Sequence, residues 1–235
     1  MGSEIQIEKR KPLRILRVEF FEISELRPHE ELIEEEIETF LKSLKEKNLF
    51  YKPILVDREN LIILDGHHRV EGLRRIGAKR VPCILLSYLK DDEIQVFTWY
   101  PMIKGDRKKI LYTLANTEGI KLKNMDREDA LREVKSGKAS FALVSKSYSA
   151  ALCRDARLII KTLESIEGVS FEFVDTLERV FSNLEKYEFA LIRKKVKKED
   201  IVRMGLSDEV FSPKTTRHYL PYRYQNIKVR PQELF

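Results

Sequence analysis

One short run of the sequence combines residue types that bind phosphate: Asp65-Gly66-His67-His68-Arg69. An apolar stretch before the run predicts a strand, and the apolar spacing after it predicts a helix. A helix that begins directly after a glycine turn presents backbone N–H groups and a partial positive charge to an anion. His67, His68 and Arg69 add side-chain donors at the same end. We therefore predict a phosphate site here rather than a plain helix cap.

Asp65 ends the predicted strand, where its carboxylate could hold Mg²⁺, the usual partner of a nucleotide phosphate. Zinc is the rival interpretation, because the chain also contains His29 and His218. No pair of histidines has the i, i+4 spacing of common zinc sites, and neither cysteine lies near a histidine in sequence. We favour magnesium with a nucleotide.

Two other segments carry groups that could act at the same site. Glu30 and Glu31 precede a predicted helix, where acids commonly favour the helix dipole but could also act as a general base. Near the C-terminus, the run 212–218 gathers hydroxyls and cations around a proline: Ser212-Pro213-Lys214-Thr215-Thr216-Arg217-His218. That composition suits either a loop that closes over an anion or a solvated turn.

The elements that position these residues form two predicted domains. In the first, residues 1–105, we expect strands at 14–22, 53–57, 61–65, 81–87 and 94–99, with helices at 30–47 and from Val70 to about Gly77. Connections of such different lengths indicate a mixed sheet. In the second, residues 106–235, we expect helices near 107–117, 126–136, 150–165, 175–186 and 198–204, with strands near 139–144, 169–174 and 187–193. Asp126 and Asp175 are predicted N-caps, with Glu178 closing a capping box.

Composition limits the class of protein. The chain has 44 basic and 38 acidic residues among 235, a net charge of +6, and the excess is dispersed rather than gathered in one stripe. We therefore expect no specific nucleic-acid partner.

Cys83 and Cys153 lie in apolar settings and predict buried free thiols in a reducing compartment. No apolar run is long enough to span a bilayer. We expect a cytoplasmic monomer or small homo-oligomer.

The phosphate run resembles the corresponding motif of the ParB/sulfiredoxin superfamily and, more narrowly, the archaeal ADP-dependent free serine kinase family. The narrower resemblance is carried by segments along nearly the whole chain: 28–30, 65–69, 72–73, 77–80, 98–101, 104–106, 141–144 and 212–218. The middle, from about 107 to 185, departs most. The resemblance implies an α/β (α+β) fold: a ParB/sulfiredoxin-like domain plus a second α/β domain whose segment 211–224 returns to the nucleotide site.

The resemblance also implies an activity and roles. The chain would transfer a phosphoryl group from ADP or ATP, with Mg²⁺, to free L-serine, and so feed serine or cysteine metabolism. Glu30 would take the hydroxyl proton, Asp65 would position Mg²⁺ or the nucleophile, and Trp99 would wall the serine pocket. The other expected site residues bind substrate (His29), act in catalysis and hold phosphates (His67), or bind the nucleotide (Gly66, His68, Arg69, Lys214, Thr215, Thr216, Arg217 and His218).

Two rival classes of protein differ from this chain at particular residues. Sulfiredoxin needs a cysteine where this chain has His67, so thiol chemistry lacks its nucleophile. A ParB-like, nucleotide-switched DNA-associated protein is the alternative, although residues 106–211 offer no clean helix–turn–helix pair. The sequence leaves open whether ADP or ATP is the donor and whether Glu30 or Asp65 is the base.

Overall fold

The computed structural model describes residues 17–220 and 227–235. Within them the chain forms two compact units: unit 1 contains residues 17–95, 201–210, 218–220 and 227–235, and unit 2 contains 96–200 and 211–217. The division into domains 1–105 and 106–235 stays a prediction. Residues 14–16 of the first expected strand and 221–224 of the returning segment lie outside the described residues.

Unit 1 is built on a four-stranded sheet in the order β1-β4-β2-β3. β2 and β4 are parallel, whereas β1–β4 and β2–β3 are antiparallel, so the sheet is mixed as predicted. The elements are β1 (Val18–Glu22), α1 (Glu34–Lys47), β2 (Ile54–Asp57), β3 (Ile63–Asp65), α2 (His67–Arg75) and β4 (Arg80–Leu86). The predicted helix over 30–47 begins only at Glu34, because Ile33 is extended (φ −110°, ψ 120°).

The two helices of unit 1 pack closely at a glycine. A Cβ atom added at Gly72 would lie 2.6 Å from Cδ1 of Phe40, so only glycine lets α2 approach α1 at this distance. Val70 and Leu73 of α2 are buried against Ile54 and Val56 of β2 in one apolar cluster. This packing fixes α2, and with it the turn at its N-terminus.

Unit 2 contains a six-stranded sheet in the order β10-β6-β11-β8-β9-β7, in which every recorded pairing is antiparallel. In the strand Phe141–Val144, Ala142 and Val144 belong to one apolar cluster, and Phe141 and Leu143 belong to another. Successive residues of a strand point to opposite faces, so both faces of this sheet are buried. The remaining elements of the chain are β5 (Gln95–Thr98), β6 (Tyr100–Lys104), α3 (Arg107–Asn116), β7 (Lys121–Asn124), α4 (Arg127–Ser136), β8 (Phe141–Val144), β9 (Ser149–Cys153), α5 (Ala156–Glu164), β10 (Ser170–Val174), α6 (Leu177–Asn183), β11 (Phe189–Ile192), α7 (Lys198–Gly205) and β12 (Thr216–Tyr219). Of these, residue 95 of β5, residues 201–205 of α7 and residues 218–219 of β12 belong to unit 1. The α/β fold class is confirmed.

Some predicted elements of unit 2 are wrong. The expected helix over 150–165 begins as strand β9, whose alanines are buried between β7 and β8, and only then continues as α5, capped by Asp155. β6 continues through Pro101, because β11 pairs only with Met102 and Ile103 and needs no N–H from the proline. β6, β7 and β12 were not predicted. Within the described residues, no helix combines the length and apolar character needed to cross a membrane.

Candidate active site

The predicted phosphate turn lies at the junction of β3 and α2. Gly66 is the N-cap of α2 with φ +111°, and a Cβ there would lie 2.7 Å from Cδ1 of Ile54, so the position requires glycine. The first helical hydrogen bond runs from Val70 N to Gly66 O (2.9 Å). The N–H groups of the first turn have no acceptor inside the helix, and a helix start of this kind suits an anion.

Arg69 connects this turn to the segment before β2. Its Nη1 donates to the carbonyl oxygens of Lys52 (2.6 Å) and Pro53 (2.9 Å), and its Nη2 donates to Oδ2 of Asp65 (2.5 Å). The guanidinium therefore keeps its charge beside the turn and orients the Asp65 carboxylate, which is about half exposed. These contacts could not be read from the sequence, because they depend on how β2 and β3 pair.

Both histidines of the turn accept hydrogen bonds from backbone N–H groups of the segment before α1. His29 N donates to Nε2 of His67 (3.3 Å), and Ile33 N donates to Nε2 of His68 (3.0 Å). A backbone N–H can only donate, so each Nε2 is unprotonated and a neutral ring carries its proton on Nδ1. Only Nδ1 of each ring can therefore act as the predicted donor toward phosphate.

His29 is fully buried beside this pair. Its Nδ1 donates to the carbonyl oxygen of Ile63 (2.6 Å), and its ring packs edge-on against His67 with centroids 4.5 Å apart. Burial lowers the pKa of His29 to about 4, partly opposed by the bond to Ile63. Burial and the neighbouring histidines hold the pKa of His67 well below its usual value. Both rings are neutral at physiological pH.

In sequence, Glu30 lies between His29 and Ile33, whose backbone N–H groups bond to the two turn histidines. Its side chain is 13% exposed, and Oε2 is 3.8 Å from Nε2 of His29. Because His29 is neutral, the pair is not an ion pair, and His29 does not stabilise the carboxylate by charge. Glu31, the neighbouring acid, is also partly buried.

His218 joins the other three histidines in unit 1. Its ring lies 5.8 Å from that of His29, and its Nε2 is 2.7 Å from the hydroxyl of Tyr88. Tyr88 is fully buried and was missed, since no sequence signal distinguishes it from a core tyrosine. No three His, Cys, Asp or Glu side chains in the described part of the chain are arranged as metal ligands.

The other predicted residues form a second cluster, in unit 2. The Arg217 guanidinium stacks over Trp99 (4.7 Å) and forms an ion pair with Asp175. Lys214 lies over Phe173 (5.3 Å), whose ring meets Trp99 edge-on. Stacking on aromatic faces stabilises both cations where they lie.

Asp175 does not cap α6 as predicted. The N-cap of α6 is Thr176, whose Oγ1 accepts from Arg179 N (3.2 Å), so the predicted Asp175 cap with Glu178 is wrong. The Asp175 carboxylate instead forms ion pairs with Arg179 (3.0 Å) and Arg217. An acid one residue before a capping threonine is the signal that could have indicated this role.

A buried arginine anchors the C-terminal run. Nη1 of Arg193 donates to the hydroxyls of Ser212 (3.3 Å) and Thr215, and Trp99 N donates to the carbonyl oxygen of Thr215 (3.2 Å). Thr215 is buried and hydrogen-bonded within unit 2, and Thr216 follows as the first residue of β12. Arg193 was missed, because one arginine in a basic run carries no distinguishing pattern.

Comparisons with known proteins define the class and then the family. A solved structure of a mutant free serine kinase in complex with ADP has a TM-score of 0.87 and 32% identity over 97% of this chain and 98% of that chain, which places this fold among nucleotide-binding kinases of free serine. The ADP-dependent L-serine kinase of Thermococcus kodakarensis is 34% identical over all of both chains. An ATP-dependent L-serine kinase of Staphylothermus marinus is 26% identical over 90% of this chain and 88% of its own length. No protein-family model matches. The chain belongs to the free L-serine kinase family.

Proposed function

We propose that this chain transfers the terminal phosphoryl group of ADP or ATP to the hydroxyl of free L-serine, giving O-phospho-L-serine. Relatives that match the chain over its whole length are named for this activity. The observation that supports it most directly is the Gly66 turn, which opens the N-terminus of α2 beside a carboxylate and within the same unit as Glu30. Because the full-length relatives are kinases, the ParB-like alternative is set aside.

The donor phosphates bind at the first turn of α2. Backbone N–H groups there, the helix dipole and the nearby Arg69 charge offset the negative charge of the phosphates. Asp65 is the residue that would hold Mg²⁺, which takes one or two protein carboxylates and completes its shell with phosphate oxygens and water. One exposed carboxylate at this turn fits that requirement. When bound, the ion would neutralise charge on the donor phosphates.

Glu30 is the proposed general base. It accepts the hydroxyl proton as the serine oxygen bonds to the terminal phosphorus, while the bond from that phosphorus to its bridging oxygen breaks. The spent nucleotide is AMP from ADP, or ADP from ATP. Phosphoryl transfer of this kind depends on positioning and charge neutralisation more than on covalent catalysis. Asp65 is the weaker candidate for the base, because its Oδ2 already accepts from Arg69.

ADP is the favoured donor, since identity to the ADP-dependent relative (34%) exceeds identity to the ATP-dependent one (26%). Two roles predicted for unit 2 belong to the same proposal: Trp99 is a wall of the serine pocket, and the segment from Lys214 to Arg217 contributes nucleotide ligands.

A matrix of donors and acceptors tests the proposal. The protein is incubated with Mg²⁺ and either ADP or ATP, together with L-serine, L-threonine or no amino acid, and products are separated by mass spectrometry. We expect phosphoserine and an equal amount of spent nucleotide with L-serine, faster with ADP than with ATP. Nucleotide consumption that does not depend on L-serine, or no phosphoserine from either donor, would overturn the proposal.

A further inference from the structure

The contact between His68 and the start of α1 replaces an ordinary helix cap. Ile33 is the N-cap of α1, and in a capping box its N–H would be bound by the side chain of the third helical residue, here Glu36. Instead, Ile33 N donates to Nε2 of His68 (3.0 Å), and Oε2 of Glu36 lies 3.4 Å from Nδ1 of the same ring. The imidazole of α2 is therefore inserted between the two partners of the box.

This arrangement fixes the tautomer of His68. Glu36 favours a proton on Nδ1, which leaves Nε2 as the acceptor that Ile33 requires. The ring is about one quarter exposed, so it is held by directed contacts rather than by complete burial. A histidine that served mainly as a cationic phosphate ligand would be protonated on both nitrogens and would lose the bond to Ile33.

The segment that carries Glu30 is held at both ends by the turn histidines. His67 accepts from His29 N at one end, and His68 accepts from Ile33 N at the other. Glu30 takes part in an isolated β-bridge, and residues 31–33 lie outside any helix or strand. The two ring acceptors are therefore contacts on either side of Glu30 that tie its segment to the α2 turn.

We propose that His68 is a positioning residue for Glu30, acting as a hydrogen-bond acceptor for the Ile33 amide. The inference rests on the proposed function for its catalytic consequence, since Glu30 must meet a phosphate bound at the α2 turn. A displacement of the base by about 1 Å can lower the rate about 100-fold without changing how the nucleotide binds.

The variants His68→Gln and His68→Asn separate an acceptor from a phosphate ligand. The glutamine side chain can place Oε1 near the position of the histidine Nε2, whereas the asparagine side chain is shorter and cannot reach Ile33 N. We expect His68→Asn to lower kcat at least ~10-fold while the Kd values of ADP and ATP stay within ~3-fold. His68→Gln should recover most of the lost turnover. Equal loss in both variants, wild-type turnover in His68→Asn, or a ~10-fold or greater weakening of nucleotide binding would overturn the inference.

A second readout requires no catalysis. Amide hydrogen exchange at Ile33 should accelerate in His68→Asn and return toward the wild-type rate in His68→Gln, while exchange at Val70 in α2 stays unchanged. Unchanged exchange at Ile33 in His68→Asn would contradict the acceptor role even if the protein makes phosphoserine. If the wild-type protein makes no phosphoserine but Ile33 responds as expected, the proposed function fails and the acceptor contact stands.

Discussion

Unit 1 and unit 2 hold their candidate functional side chains by different means. In unit 1, neutral histidine rings accept backbone N–H groups and are tied to the main chain. In unit 2, the cations Lys214 and Arg217 lie over aromatic rings, and an ion pair with Asp175 orients the arginine. Contacts to the main chain are short-ranged and weakly affected by salt, whereas exposed charge pairs are screened. Geometry in unit 1 should therefore be rigid, and that in unit 2 should respond to ions and ligands.

The largest effect should come from the proposed base in unit 1. Glu30→Gln should lower turnover at least ~100-fold and leave nucleotide affinity within a few-fold, because it removes proton acceptance but not phosphate binding. Steady-state kinetics and calorimetry with ADP measure the two quantities. The matched variant Glu31→Gln changes the neighbouring acid. A comparable loss in Glu31→Gln with near-normal turnover in Glu30→Gln would transfer the role to Glu31.

The buried neutral histidines of unit 1 predict a loss of stability in acid. The pKa of His29 is lowered from 6.5 to about 4, so between these pH values the unfolded chain binds a proton that the folded chain does not. The free energy of unfolding should be highest above pH 6.5 and should fall toward pH 4, by up to about 3 kcal/mol from this residue. The low pKa of His67 acts in the same direction.

Urea unfolding at several pH values measures this dependence. His29→Asn can keep a donor toward Ile63 but does not titrate, so its unfolding free energy should depend less steeply on pH. An equal slope in the variant and the wild type would show that His29 is not the source.

In unit 2, Trp99→Ala should raise the serine KM about 10-fold and change nucleotide affinity by no more than about 2-fold, as expected when the wall of a substrate pocket is lost. Initial rates at varied serine concentrations give the KM. If Trp99 is only a packing residue, the variant should instead unfold at lower temperature with an unchanged KM.

The smallest effect concerns the ion pair of unit 2. A double-mutant cycle with Asp175→Asn and Arg217→Gln should give a coupling energy of at most about 1 kcal/mol, since Arg217 is 43% exposed. The coupling should decrease between about 0.05 M and about 1 M salt. Coupling that persists at high salt would show that the contrast between the units is wrong.

Sequence reasoning located the turn because its signal is local: an apolar strand, a glycine and a helix with residues of the right type. It also grouped His29 and Glu30 with that turn through the family resemblance. It assigned the histidine rings as donors, because a sequence does not show that Ile33 N lies opposite His68. The direction of that hydrogen bond depends on how α1 and α2 pack.

Errors in the fold have a similar cause. The alanine-rich residues of β9 suit a helix by propensity, and only their burial between β7 and β8 makes them a strand. Asp175 satisfied the pattern of a cap, but the threonine after it performs that role. Tertiary pairing overrides local preference in both places.

Transfer of label from the terminal phosphate of the donor tests the central claim most directly. The protein is mixed with L-serine, Mg²⁺ and either [β-³²P]ADP or [γ-³²P]ATP, and labelled phosphoserine and free phosphate are quantified over time. The account predicts that label passes to serine in one-to-one proportion with spent nucleotide and that little label is released without serine. Label recovered only as inorganic phosphate, at a rate independent of serine, would contradict it.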